Sequence, residues 1–281
     1  TVVSGVEALL EAAKRLEIDV HCATGVVVGA GGAIGKALAL LLSEQVQKLI
    51  LVGNPARPKK SEYRMLKVVA EIIGHLKEMG EAGHSFAEDS LGAWVQSLRG
   101  IPSSADSLTK WVDYVQELLN KPSPVRITIS REDAVPKADL LMVATSSLEA
   151  LITPELLKRG AVVCDLSRPS NVSEAVLRER PDVLVIDGGI VAMPNSPDLG
   201  WNFGFEKGTG FACMSETIML ALEKRYEHTS LGADLNVKQL ALFRDLAAQQ
   251  GFTLAGFRNL DRPLDPALWE RVRAFRLTSS A

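Results

Sequence analysis

At 281 residues the chain is long enough for about two domains of roughly 150 residues, or for one domain with a large elaboration. Its 47% hydrophobic and 23% charged content fits a soluble globular protein and excludes a disordered or collagen-like chain. Lys and Arg number 31 against 34 Asp and Glu, a net charge of −3, so no global basic field favours a nucleic acid or an anionic membrane as partner.

Residues 6–16 place Val6, Leu9, Leu10, Ala13 and Leu16 at helical spacing with Glu7, Glu11, Lys14 and Arg15 opposite, which predicts an amphipathic packing helix within residues 1–20. A β-branched run at 25–28 leads into Gly29-Ala30-Gly31-Gly32-Ala33-Ile34-Gly35 and a helix through about Ser43. A second apolar strand at 49–52 closes a βαβ unit at Gly53-Asn54. Helices at 61–79, 89–98 and 107–120, with Gly80, Gly83, Gly100 and Pro102 at the joints, predict a helical insertion over about 61–124. Strands resume at 125–129, 140–144, 161–165 and 183–186 with helical composition between them. The alternation predicts an α/β fold, a Rossmann-type doubly wound parallel sheet over 21–205, followed by a helical C-terminal region over 206–281 with helices at 210–227, 236–249 and 266–275.

A dinucleotide pyrophosphate requires backbone amides aimed at it, close approach unhindered by side chains, and the positive end of a helix. The segment Gly29, Gly31, Gly32, Ala33, Ile34 and Gly35 offers all three, in a GxxGxxG spacing with one extra glycine rather than GxGxxG. A bare βα turn would also need a glycine, but four in seven residues at a strand-to-helix junction favour a bound nucleotide. The end of the second strand reads Gly53-Asn54-Pro55-Ala56-Arg57-Pro58-Lys59-Lys60, with no carboxylate for a ribose 2′-hydroxyl. NADP(H) is therefore the expected cofactor, with Asn54 and Arg57 at the ribose phosphate, because a guanidinium pairs with phosphate bidentately. The cations at 59 and 60 read better as a solvated face at the start of the insertion. Ala144, Thr145 and Ser146, ending the strand at 140–144, complete the cofactor-binding set.

Cys22, Cys164 and Cys213 are an odd and sparse set without CxxC spacing, which argues against a disulfide framework or a cysteine-rich zinc site and for a reducing cytoplasmic compartment. The four histidines have no metal-ligand spacing, so no metal is expected. No apolar stretch approaches the ~18 residues of a membrane span, and the start lacks a signal-peptide pattern. The first residue is Thr, which processing or a fragment would explain. Cys213, in Thr209-Gly210-Phe211-Ala212-Cys213-Met214-Ser215-Glu216, precedes a helical pattern, where unpaired amides favour a thiolate nucleophile; the alternative is a buried structural cysteine. Asp187-Gly188-Gly189, after a strand, reads equally as a ligand contact and as a plain turn.

These stretches resemble the long-chain acyl-(acyl-carrier-protein) reductases of cyanobacteria. The likeness covers residues 11–19, Cys22-Ala23-Thr24, Val27-Val28-Gly29-Ala30, Gly32-Ala33-Ile34-Gly35, Lys137-Ala138-Asp139-Leu140, Gly188-Gly189-Ile190-Val191, 198–201, Phe211-Ala212-Cys213 with Glu216, Leu231-Gly232 and Gly251-Phe252. Family members carry a further N-terminal domain ahead of the opening helix and a shorter segment where this chain has 61–124. The resemblance implies an NADPH-dependent reductase of acyl thioesters. Cys213 would take the acyl group from acyl-carrier protein or acyl-CoA, hydride would release a fatty aldehyde, and an aldehyde-consuming enzyme would be a possible partner. Two other readings stand beside it: a shikimate-dehydrogenase-like or amino-acid-dehydrogenase-like oxidoreductase without a covalent intermediate, and a non-catalytic nucleotide-binding protein.

Overall fold

The structure is a computed structural model and describes residues 1–200, 204–229, 235 and 237–277. Trp201, Leu231 and Gly232, part of the resemblance to the reductases, lie outside the described residues. Helix α1 (Val2–Arg15) precedes β1 (Thr24–Val28), α2 (Ala33–Ser43) and β2 (Lys48–Val52). Helices α3 (Pro58–Glu81), α4 (Leu91–Ser97) and α5 (Leu108–Leu119) follow, then β3 (Val125–Thr128), α6 (Arg131–Ala134), β4 (Leu140–Val143), β5 (Val162–Asp165), α7 (Glu174–Glu179) and β6 (Leu184–Asp187). Six strands form one parallel sheet in the order β3-β2-β1-β4-β5-β6, the strand order of a Rossmann fold.

The strands read as nearly unbroken apolar runs because both of their faces are covered. Successive side chains point to opposite faces. Val27, Leu49, Leu51, Leu140, Met142 and Cys164 thus pack in the core shared with α1, α2 and α3, while Val26, Val28, Ile50, Leu141, Val143 and Val163 pack in the core shared with α6 and α7. The insertion starts three residues before its predicted position, with Pro58 at the first helical position, where a missing N–H costs nothing. Its shorter helices are capped by serine: Ser90 Oγ accepts from the Ala93 amide and Ser107 Oγ from the Lys110 amide.

The last third of the chain contains helices α8 (Ala212–Leu222), α9 (Val237–Gln250) and α10 (Ala267–Leu277) but is not purely helical. Strands β7 (Ile190–Ala192), β8 (Thr209–Phe211) and β9 (Thr253–Leu254) form an antiparallel sheet in the order β8-β7-β9, and β10 (Arg258–Asn259) pairs with β11 (Arg262–Pro263). Strands of two or three residues are too short to leave an alternating pattern, so residues 209–211 look from sequence like an approach to the following helix. No helix among the described residues is long and apolar enough to cross a membrane.

Arg180, just after α7, clasps the segment following β4. It donates to the carbonyls of Pro154 and Leu157 and, through Nε and Nη2, to both oxygens of Asp182 at 2.8 and 2.7 Å. These hydrogen bonds hold the Asp182 carboxyl below the usual carboxylate range. A depressed carboxylate stabilises the fold above its unfolded-state pKa of about 3.9 and loses that contribution as pH falls through the folded value. Urea melts of the wild type and Asp182→Asn are therefore expected to differ at pH 6 and to converge as the pH is lowered below about 4.

Candidate functional site

The parallel registers align the ends of the strands. Val28 lies beside Val52 and Val143, Val143 beside Asp165, and Asp165 beside Asp187. The segments leaving the strands therefore gather at one edge: Gly29 after β1, Gly53 and Asn54 after β2, Ala144 to Ser146 after β4, Leu166 and Ser167 after β5. The strand order reverses between β1 and β4, where open α/β sheets bind ligands.

The glycines of the turn have separate duties. Gly29 has φ +89°, and a Cβ there would lie 2.1 Å from the Ala144 carbonyl oxygen; a Cβ at Gly35 would lie 2.1 Å from the Gly29 carbonyl oxygen. These two glycines let β1, β4 and α2 close on one another. Gly31 and Gly32 meet no such obstacle: the nearest protein atoms to an added Cβ are at 3.5 and 3.4 Å. Their missing side chains leave backbone uncovered. Gly32 is the N-cap of α2 and offers no side-chain oxygen, and the first turn, Ala33 to Gly35, contains no acidic residue. The amides of a first helical turn lack intrahelical acceptors, so this end of α2 presents donors to an anion.

At the end of β2, the Asn54 side chain shapes its own loop, its Oδ1 accepting from the Ala56 amide at 2.8 Å. Ser61 Oγ accepts from the Asn54 amide and donates to the Asn54 carbonyl, both at 3.0 Å. Arg57 is the exposed N-cap residue of α3, and no carboxylate among the described residues pairs with it. Across the switch point, Thr145 and Ser147 belong to a polar network that the sequence does not announce. Buried Asp165 accepts from the amides of Ser167, Asn171 and Val172 and from Ser170 Oγ. Ser167 Oγ accepts from the Thr145 amide at 3.1 Å, Thr145 Oγ1 donates to Asn171 Oδ1, and Asn171 Nδ2 donates to the carbonyls of Ser147 and Glu149. One carboxylate thus fixes the loops after β4 and β5, leaving Ser146 exposed at their crest.

Asp187 resolves as structure. Its oxygens accept from the amides of Leu260 and Asp261 at 3.2 and 2.8 Å, tying the β10–β11 hairpin to the sheet, and burial raises its pKa. A Cβ at Gly188 would lie 2.7 Å from Leu166 Cγ, so that glycine serves packing. Cys164 is buried, with its thiol pKa pushed up by burial. Cys213 is exposed on the first turn of α8, which removes the alternative of a buried structural cysteine.

A cavity of about 400 Å³ opens beside the first turn of α2. Ala33 and Ile34 form one side, Val2 of α1 and Val191 of β7 another, and Ala212, Ser215, Glu216 and Met219 of α8 face Leu240 and Phe243 of α9. Glu7 and Arg244 stand half-exposed at its rim, 3.8 Å apart; burial raises the Glu7 carboxyl and Arg244 opposes that shift. Of the first turns of α8, Ala212, Ser215 and Glu216 line the cavity, whereas Cys213 does not. This cavity escaped sequence reasoning because its walls come from segments far apart in the chain, from α1, α2, β7, α8, α9 and β9.

No protein-family model matches the chain. Over 133 residues, 46% of its length, it is 35% identical to aminotransferase PigE of Serratia sp. (strain ATCC 39006), and it spans 15% of that protein. Among solved structures it is similar to the apo form of D-mandelate dehydrogenase from Rhodotorula graminis, with 14% identity, TM-score 0.31 and coverage of 62% of this chain and 40% of that one. It is also similar to a probable ornithine cyclodeaminase from Bordetella pertussis Tohama I, with 12% identity, TM-score 0.30 and coverage of 89% and 67%. None of these is an acyl-(acyl-carrier-protein) reductase. The curated relative overturns the family resemblance, and with it fall the acyl-Cys213 intermediate, the acyl-carrier-protein or acyl-CoA partner and the fatty-aldehyde product. The position of Cys213, outside the cavity beside the glycine turn, accords with that correction.

The division of labour among the glycines is measurable. Gly35→Ala forces a methyl into the Gly29 carbonyl and is expected to cost about 2 kcal/mol or more in urea unfolding. Gly31→Ala is expected to stay within about 0.5 kcal/mol of wild type.

Proposed function

We propose that this chain is a nicotinamide-dinucleotide-dependent oxidoreductase, or the nucleotide-binding part of one, that exchanges hydride with an alcohol, amine or the corresponding carbonyl or imine without a covalent enzyme intermediate. The observation that carries the reading is the glycine turn at the switch point: Gly29 and Gly35 are required by packing, whereas Gly31 and Gly32 are not, and beyond Gly32, whose own amide donates to the Gly29 carbonyl, the first turn of α2 leaves its amides open to an anion. The residues present fit the group. The turn from Gly31 to Gly35 would hold the pyrophosphate, Arg57 the ribose phosphate of NADP(H), and the loop of Ala144, Thr145 and Ser146 the far side of the nucleotide. When bound, the nicotinamide supplies a hydride donor or acceptor.

The chain's own residues do the rest. The Asp165 network fixes the edge against which the nucleotide lies, so that no loop has to be ordered when it binds. The apolar walls of the neighbouring cavity exclude water from the reacting end of a substrate. Glu7, whose carboxyl is raised by burial, can hold or release a proton at the rim.

Titration of the protein with NADPH and NADH, followed by nucleotide fluorescence, tests the reading. NADPH is expected to bind more tightly. Arg57→Ala is expected to weaken NADPH by about 10- to 100-fold, the range for a lost charged hydrogen-bonding pair, and to leave NADH unchanged. Deuteride from labelled NADPH should appear in a reduced product with no adduct on the intact protein. Absence of binding by either nucleotide would refute the proposal.

A further inference from the structure

We propose that Arg64 is a second phosphate-binding residue of this site, a clamp over the glycine turn that holds the pyrophosphate of any dinucleotide, in contrast to Arg57, which reads the ribose phosphate. The inference rests on the nucleotide-binding function proposed for the turn and assigns a residue that the sequence patterns do not single out.

The register of α3 on α2 places it. Residues 61, 64, 68 and 71 share one face of α3 through their three- and four-residue spacing. Ser61 and Val68 on that face are buried, and Glu71 pairs with Lys36 in α2 at 3.1 Å, so the face lies along α2. Two turns before Glu71, about 10 Å along the helix, the same row arrives at the start of α2 with Arg64. A methyl group at Gly31 would lie 3.5 Å from Arg64 Cβ and 3.7 Å from its Cδ. The stem of Arg64 therefore runs against the turn itself.

No structural duty accounts for this arginine. Its side chain is exposed, and no carboxylate among the described residues pairs with it. Arg57 and Arg64 make the start of α3 a positive corner, while Lys36 of α2 pairs with Glu71 two turns further along. Such a corner, bordered by uncapped amides, suits a doubly charged anion better than the single charge of a carboxylate. The seven-residue offset also separates the two arginines in function. Arg57 stands at the end of β2, where a ribose lies in this fold, and Arg64 stands at the turn, where the diphosphate lies.

The test compares Arg64→Ala, Arg64→Lys and Arg57→Ala in calorimetric titrations with NADPH, NADH and ADP, which shares only the diphosphate half. Arg64→Ala should weaken all three by about tenfold, with the NADPH-to-NADH ratio kept at the wild-type value, and Arg64→Lys should recover part of the loss. Its unfolding temperature should match the wild type, since the residue is exposed and unpaired. Loss of NADPH affinity alone, or no loss, would overturn the clamp. Wild-type protein that binds neither dinucleotide would overturn the proposed oxidoreductase function instead; the clamp would then be upheld by ADP binding that depends on Arg64 and overturned by its absence.

Discussion

The structure depends on a backbone approach that only glycine permits. Strand β1 can turn into α2 directly beside β4 because Gly29 takes a positive φ under the Ala144 carbonyl and Gly35 sits against the Gly29 carbonyl, both at separations no Cβ would tolerate. This contact sets α2 with its N-terminus at the sheet edge, where the strand order reverses. Everything assigned to the site, from the open amides to the cavity beside Ala33 and Ile34, inherits its position from that approach.

Two further constraints make the edge rigid. On the β4 and β5 side, one buried carboxylate, Asp165, organises the loop after its own strand, and Ser167 and Asn171 pass that order to Thr145 and Ser147. On the β2 side, Ser61 pins the Asn54 loop, and the long helix α3 is held along α2 by apolar packing and by Glu71 with Lys36. The insertion that lengthens this side thus acts on the site: it supplies the cations that the end of β2 lacks acids to oppose. Negative overall charge and a locally positive corner coexist because the cations are gathered at one helix start.

Much of the fold was legible. Strands covered on both faces must be apolar throughout, so Val26 to Val28, Leu49 to Val52 and Leu140 to Val143 stand out from the amphipathic segments between them. The β7, β8 and β9 strands were not legible, because two or three residues carry no period. At the site, the glycines could be found by spacing, but their separate duties could not, since these depend on what a Cβ would meet in three dimensions. Asp165, Ser167 and Asn171 follow no motif; their network exists because the loops after β4 and β5 are brought side by side. Arg64 had one faint signal, its seven-residue spacing from Arg57. The family resemblance misled because glycine turns and strand ends report a scaffold, while chemistry resides in the particular site built on it. Phe211-Ala212-Cys213 looked specific, yet of its three residues only Ala212 lines the cavity, together with Ser215 and Glu216 further along α8.

The amides of the glycine turn are the proposed receivers of a nicotinamide dinucleotide's phosphates, and every other assignment at the site leans on that contact. Hydrogen–deuterium exchange with and without saturating NADPH tests it at the atoms concerned. The account predicts slowed exchange concentrated in the segment 31–35, with a smaller effect at 144–147. Unchanged exchange in 31–35 under conditions where NADPH is bound would contradict it.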